Sequence, residues 1–333
     1  MNKINILIIR FTSLGDLVTL EPIFRAIKHF NNDANITFLT SNIGKGLYSD
    51  TDYFDDFILH NSFLSTVSSL KNKKFHTVIN LQCNKPSHYI NFFVNKNHTI
   101  NKSYNFFQKL FHIKTHSKSM QEILEALNIE KKLINNYILD EKSSSITLPV
   151  SKENRFEAEI KDKFTNKKVI AISVGTSKAW ESKKWGKENF KNLINLLKND
   201  FGIILVGSEL ELDDTKEIMN EFKGEILSFV NKTNLTELKS VISLANLYLG
   251  NDSGPTHVAA ALGIRTVTIF GSTDIKHSVS FIHTNSVHTN IKPSSSIICH
   301  PCYKKECPTE HECMKDIGVD TVYKEVINTL EYS

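Results

Sequence analysis

At 333 residues the chain is longer than one ordinary domain, so two domains of similar size are expected. Lysine and arginine total 40 against 36 aspartates and glutamates; that near balance argues against a dedicated nucleic-acid binder or a basic adaptor, and leaves room only for a local basic patch facing an anionic substrate or a membrane. No apolar run approaches the ~20 residues that cross a bilayer, and MNKINILIIRF is too short and lacks the cleavage site of a signal peptide. The expectation is a cytoplasmic location, with peripheral contact at the inner face of the cytoplasmic membrane left open.

Short apolar runs alternate with amphipathic ones through the first half. INILIIR (4–10) reads as a buried strand, followed by the loop FTSLGD and a helix through LVTLEPIFRAIKHF. NITFLT (35–40), DDFILH (55–60) and HTVINL (76–81) read as the next three strands, with helical patterns between them. Over 131–150 the pattern lapses, and DEKSSSITLPV, mixing charge, serine and proline, reads as an interdomain linker. The rhythm then restarts with the strand KVIAISVG (168–175), the helix NFKNLINLLKN, the strand FGIILVG (201–207), the helix LTELKSVISLA, the strands LYLG and TVTIFG, and a closing helix VDTVYKEVINTLEY. This β-α-β alternation predicts an α/β protein with two parallel, Rossmann-like sheets, one in residues 1–150 and one in 151–333, binding ligand in a cleft at the strand C-terminal ends.

The densest polar chemistry is the corner NDSGPTHVAAALG (251–263), between a strand and a helix. Pro255 suits a first helical position, where its missing N–H costs nothing. Ser253 or Gly254 can cap the helix, and the amides at 254–257 with the helix dipole make an anion site. Gly254 allows a phosphate close to the backbone, Thr256 and His257 add side-chain donors, and Asp252 stands at the strand end. Asp16, in the loop after the first strand, reads on position alone as a helix cap. Arg10 at that strand's end either orients the acid, meets an anionic acceptor or forms a surface pair. Thr176 and Ser177 follow the strand KVIAISVG and can donate hydroxyls to a phosphate. Glu209, just after LVGS, reads equally as a ligand of sugar hydroxyls or as a helix-start acid.

Asp252-Ser253-Gly254-Pro255-Thr256-His257, with AAALG, TVTIFG and Ser272-Thr273-Asp274 behind it, resembles the signature of glycosyltransferase family 9, the heptosyltransferases of the lipopolysaccharide inner core. ILIIRFTSLGDLVTLEPIFRAIK and SVGTSKAWESKKWGKENFKNLI (173–194) resemble that family too, so the likeness spans nearly the whole chain. The resemblance implies a GT-B fold and inverting transfer of heptose from ADP-L-glycero-D-manno-heptose to an anionic inner-core acceptor. The N-terminal domain would supply the acceptor side and base, and the C-terminal domain would bind the donor. It makes Asp16 the catalytic base, places Lys183 (or Lys184 in the adjacent register) on the donor phosphates, and aligns Thr233 near the adenine. Fixed groups would neutralise the diphosphate, so no cofactor or metal is expected in catalysis. A protein (autotransporter) heptosyltransferase and a GT-B-fold sugar-nucleotide epimerase are the alternatives.

Other motifs are weaker. Asp50-Thr51-Asp52 fits D-x-D formally but reads as a solvated turn, Gly44-Lys45-Gly46 lacks the third glycine of a dinucleotide loop, and Trp185 reads as packing at a helix start. Cys299, Cys302, Cys307 and Cys313 cluster around His300 and His311, with Cys83 apart. Free thiols are placed slightly ahead of a structural zinc or iron there, because the second half-site is irregular and a reducing cytosol disfavours disulfides. Either way, the tail is expected to lie away from the chemistry.

Overall fold

The computed structural model describes residues 3–82, 84–101, 113–139, 145–150, 154–277 and 286–331. Cys83 and residues 140–144 of the expected linker fall outside them. The chain divides into two units, Met1–Pro149 and Val150–Ser333.

In the first unit five strands, β1 (Asn5–Ile9), β2 (Asn35–Thr40), β3 (Asp56–Leu59), β4 (Lys74–Asn80) and β5 (Asn95–Asn101), form one sheet in the order β3-β2-β1-β4-β5. Every pairing is parallel. Central strands buried on both faces need continuous apolar runs, and Ile6–Ile9 are fully buried. One face carries Leu7, Ile9, Leu39, Val78 and Ile90. The other carries an aromatic cluster in which Phe24 meets Tyr48 edge-on at 5.1 Å and Phe38 stacks on Phe54 at 4.4 Å.

In the second unit β6 (Val169–Ser173), β7 (Gly202–Leu205), β8 (Leu227–Ser228), β9 (Leu247–Asn251), β10 (Arg265–Ile269) and β11 (His288–Ile291) form a second parallel sheet, in the order β11-β10-β9-β6-β7-β8. Its largest core cluster joins Ile172, Leu205 and Leu249 of the strands to Phe190, Leu193 and Leu197 of helix Lys187–Leu197 and Val322 and Val326 of helix Val319–Glu331.

Three local expectations change. The helix expected from Leu17 is two helices, Leu14–Thr19 and Glu21–Phe30, because Pro22 cannot donate to a carbonyl of the preceding turn. Residues 131–139, where the sequence pattern lapses ahead of the expected linker, are helical, with Ile134 buried. Of that linker, 145–150 is extended and tied to the first unit. Thr147 N donates to Glu21 Oε2 at 3.1 Å, and Arg25 donates to Ser145 O. β5 escaped notice because it is an edge strand: NKNHTIN pairs only with β4 and is mostly exposed, so it lacks an apolar run. Gly44-Lys45-Gly46 lies inside helix Asn42–Tyr48, and Asp50-Thr51-Asp52 forms a mostly exposed turn and bend.

Candidate functional site

In both sheets the strand order reverses direction once, between β1 and β4 and between β6 and β9. Connections leave such a pair toward opposite sides, which opens a crevice at their C-terminal ends. The residues singled out from the sequence fall largely at these two points.

At the first, Arg10 follows β1. Its guanidinium is buried, donating from Nη1 to Leu81 O at 2.9 Å and pairing through Nη2 with Asp16 Oδ2 at 2.8 Å. Ser13 caps helix Leu14–Thr19, and its backbone N and Oγ donate to the same Asp16 oxygen at 3.1 and 2.9 Å. Gln82 Oε1, just beyond β4, accepts from Phe11 N at 2.8 Å and Thr12 N at 3.3 Å, which fixes the loop. Asp16 is thus a capping residue through Oδ2. Its other oxygen, Oδ1, accepts nothing among the described residues, and the side chain is 30% exposed. Cap and reactive carboxylate are compatible because they use different oxygens. Of the roles the sequence offered Arg10, orienting the acid is the one its contacts match: it turns inward and holds Asp16, not toward an acceptor or a surface pair.

At the second point, β9 ends at Asn251 and helix Gly254–Ala261 begins after the N-cap Ser253, so Pro255 is its second residue. Asp252 is almost fully buried. Lys183 Nζ donates to its Oδ2 at 2.6 Å, Thr273 Oγ1 donates to the same oxygen at 2.7 Å, and His257 Nε2 lies 3.8 Å from Oδ1. Burial alone would raise the Asp252 pKa; the Lys183 and His257 charges and the bonds from Lys183 and Thr273 outweigh it and hold the carboxyl below the usual range. Lys183 also lies 4.7 Å from the Trp180 ring centroid. One of its three N–H donors goes to Asp252, leaving donors toward solvent on a side chain 15% exposed. The first-turn amides of Gly254 and Thr256 have no intrahelical acceptor. Together these make an anion cradle.

Other expected residues stand differently. Thr256 is fully buried and its hydroxyl donates to Asn251 O at 2.6 Å, so its side chain braces the corner. Ser253 makes no side-chain cap, and its hydroxyl faces that of buried Tyr248. Thr176 Oγ1 donates to Trp180 O at 2.9 Å and closes its own loop, while Ser177 beside it is exposed. Lys184 pairs with Glu181 at 3.0 Å, and Trp185 is buried with Nε1 donating to Ile317 O at 2.7 Å. Glu209 is exposed with no side-chain bond among the described residues, and Thr233 is half-buried before helix Leu235–Ser243.

Two buried residues went unread. Asn251 Nδ2 donates to Val174 O and Gly175 O, both at 3.1 Å, and its Oδ1 accepts from Trp185 N, so one amide joins β9 to the loop carrying Lys183. Glu211, two positions past Glu209, is the buried acid at the end of β7, with Ser208 N and Oγ both donating to its Oε2 at 2.8 Å. Gly175 makes room for it: a Cβ there would lie 2.2 Å from Glu211 Cγ. The available signal was a polar residue closing a fully buried strand (Asn251) and the capping box Ser208–Glu211.

The cysteine tail lies against this corner, contrary to expectation. Cys302 N and Tyr303 N donate to Ser272 O at 3.1 and 2.8 Å, and Ser182 Oγ donates to Ser272 Oγ at 2.8 Å, adjoining Thr273 and Lys183. All four clustered cysteines are free thiols. Burial, then the neighbouring Cys299, Cys307 and Cys302, pushes the Cys313 thiol up to about 11. Among the described residues no group of three or more His, Cys, Asp or Glu side chains is disposed to hold a metal ion.

Two doubly wound units in one chain, each presenting polar groups at its sheet's switch point, define the GT-B class of nucleotide-sugar enzymes, and the fold of the whole chain agrees. It superposes on E. coli ADP-heptose lps heptosyltransferase II with a TM-score of 0.75 at 18% identity, covering 98% of each chain. Residues 63–312 match the family profile described as glycosyltransferase family 9 (heptosyltransferase), and the chain belongs to that family. It is 26% identical to lipopolysaccharide heptosyltransferase 1 of Campylobacter coli over 97% of this chain and 96% of that one. It is 28% identical over 172 residues to lipooligosaccharide heptosyltransferase 2 of Campylobacter jejuni, spanning about half the length of that relative, 52%. No helix among the described residues is long and apolar enough to cross a membrane.

Proposed function

We propose that the protein transfers heptose, with inversion, from ADP-L-glycero-D-manno-heptose to an anionic acceptor in the lipopolysaccharide or lipooligosaccharide inner core, working in the cytoplasm at the membrane face. The observation that carries this reading is the pair of switch points: a half-exposed carboxylate with a spare oxygen at one, and an anion cradle at the other. Asp16 Oδ1 takes the proton of the acceptor hydroxyl as that oxygen attacks the anomeric carbon from the face opposite the diphosphate. Arg10, Ser13 and Gln82 hold the acid's position. The bond to the ADP oxygen breaks, and the charge developing there falls to Lys183, His257 and the amides of Gly254 and Thr256. Asp252 would act by aiming Lys183, since a carboxylate facing a phosphate would repel it. The first unit would then serve the acceptor and the second the donor, with Glu209, Ser177 and Thr233 left to the nucleoside and sugar.

The test is incubation with ADP-heptose and defined truncated inner-core acceptors, ending in Kdo or in a first heptose, followed by mass spectrometry and determination of the anomeric configuration. A heptose added with inverted configuration is the expected result. ADP-heptose consumed by epimerisation, or transfer to a protein acceptor alone, would overturn it.

A further inference from the structure

We propose that the outer face of helices Phe63–Leu70 and Lys85–Phe93 is a docking surface for an anionic phospholipid bilayer. Helix Lys85–Phe93 buries Ser87, Ile90 and Asn91 against the first sheet. A helix covered on one side normally turns polar residues outward. This one turns out Lys85, His88, Tyr89, Phe92 and Phe93 instead, with Tyr89 62%, Phe92 78% and Phe93 56% exposed. Leu64 of the neighbouring helix is 79% exposed, and Phe63 meets Phe93 edge-on at 5.8 Å, so the rings form one patch across both helices. Scattered exposed apolar residues are ordinary; a contiguous aromatic patch marks an interaction site.

Charge selects the occupant. Between Asp56 and Glu122 the sequence contains nine lysines and no aspartate or glutamate. Lys71 closes the first helix and Lys85 opens the second; both are exposed and have no acidic partner among the described residues. Lysines at the ends of two helices that expose aromatic rings match the anionic headgroups and the acyl boundary of a bilayer, where rings insert and ammonium groups stay at the phosphates, although Lys73 of the nine is paired with Asp56. A second copy of this chain fits less well: a two-fold contact would set the same lysines against each other, and lysine is depleted at protein interfaces. The patch is also placed for use, because Lys85 lies three residues beyond Gln82, whose side chain holds the Asp16 loop. The inference goes beyond the transferase reading and is measured without any sugar nucleotide.

The experiment is co-sedimentation of the full chain with vesicles of phosphatidylethanolamine and phosphatidylglycerol, compared with vesicles of phosphatidylcholine alone. The wild type should bind the anionic vesicles selectively. Phe92→Ser with Phe93→Ser should weaken binding at least about tenfold, and Lys71→Glu with Lys85→Glu should erase the preference for anionic lipid, at about fivefold or more per lysine. Both double variants should keep wild-type thermal stability and wild-type transfer to a soluble, deacylated acceptor. Absence of vesicle binding by the wild type, unchanged binding by the ring variant, or a lipid-free dimer that the ring variant dissociates would each overturn the proposal. Docking lost with transfer intact sinks this proposal alone; transfer absent with docking intact sinks the transferase reading alone.

Discussion

The two switch points use the same topology and opposite charge arrangements. After β1 the cation is buried and the acid reaches outward: Arg10 is 4% exposed and Asp16 30%. After β6 and β9 the acid is the more buried partner and the cation the more exposed: Asp252 is 8% exposed and Lys183 15%. Each pair stays together, which limits the cost of burying its inner member. What differs is the sign offered to a ligand. The first unit presents a carboxylate, suited to taking a proton; the second presents an ammonium and helix amides, suited to a diphosphate. The same strand order around the switch point therefore does not imply identical chemistry, since which member of an ion pair is buried decides what the crevice can do.

The contrast can be broken at its carboxylate first. Asp16→Asn keeps the cap geometry but removes the proton acceptor, so transfer should fall by about 10²–10⁴-fold. ADP affinity by calorimetry should not change; near-normal turnover would remove Asp16 from the reaction.

Breaking the second pair should cost stability as well as binding. Lys183→Ala leaves Asp252 buried without its main counter-charge, a loss of about 3–5 kcal/mol, and ADP affinity should fall with it. Adding Asp252→Asn to Lys183→Ala should recover much of the stability but none of the ADP affinity. A double variant that binds ADP normally would show that the ammonium is not part of the cradle.

The second unit should also be the more acid-sensitive. Burial lowers the His288 pKa to about 4, while Nδ1 meets Thr266 Oγ1 at 2.8 Å. A depressed folded-state value means that stability present above about pH 6.5 is lost as the pH falls toward 4, with a ceiling of about 3 kcal/mol. Asp252, also held low, adds a further loss below its unfolded value near 3.8. Urea unfolding of wild type and His288→Gln between pH 7 and 4.5 should show a slope in the first and a flatter one in the second; equal slopes would clear His288.

The smallest expected effect is none. On the proposed reading the cradle would neutralise a diphosphate with fixed protein groups, so the initial transfer rate should survive brief EDTA treatment. Immediate loss that Mg²⁺ restores would return attention to Asp50 and Asp52. A slow decline would point instead to the cysteine tail, whose backbone bonds Ser272 next to Thr273.

Much of this was legible locally. Buried strands announce themselves as apolar runs, and helix starts as caps, so the β-α-β rhythm and the 251–263 corner could be read residue by residue. The polar edge strand β5 could not, because it carries no apolar run; the helix Lys131–Leu139 was passed over although Leu133, Ile134, Tyr137 and Ile138 recur at helical spacing. Asp16 was readable as cap or base; the cap holds through Oδ2, and the proposed base would use the other oxygen. Glu209 attracted notice in place of Glu211, since spacing alone does not say which acid of ELE turns inward against Gly175.

By itself, then, the sequence determined the β-α-β alternation, the parallel sheets and the two polar loops at strand ends, because these follow from periodicity and backbone requirements along a short stretch of chain. Tertiary structure alone decided which charge of each pair is buried, that Arg10 faces Asp16 and Lys183 faces Asp252, and that the cysteine tail rests against Ser272 beside the Asp252 corner. The physical reason is separation along the chain. Lys183 and Asp252 are 69 positions apart, and Arg10 reaches Leu81 across 71. Contacts at that range depend on how strands are ordered in the sheet, which no local pattern of residues records.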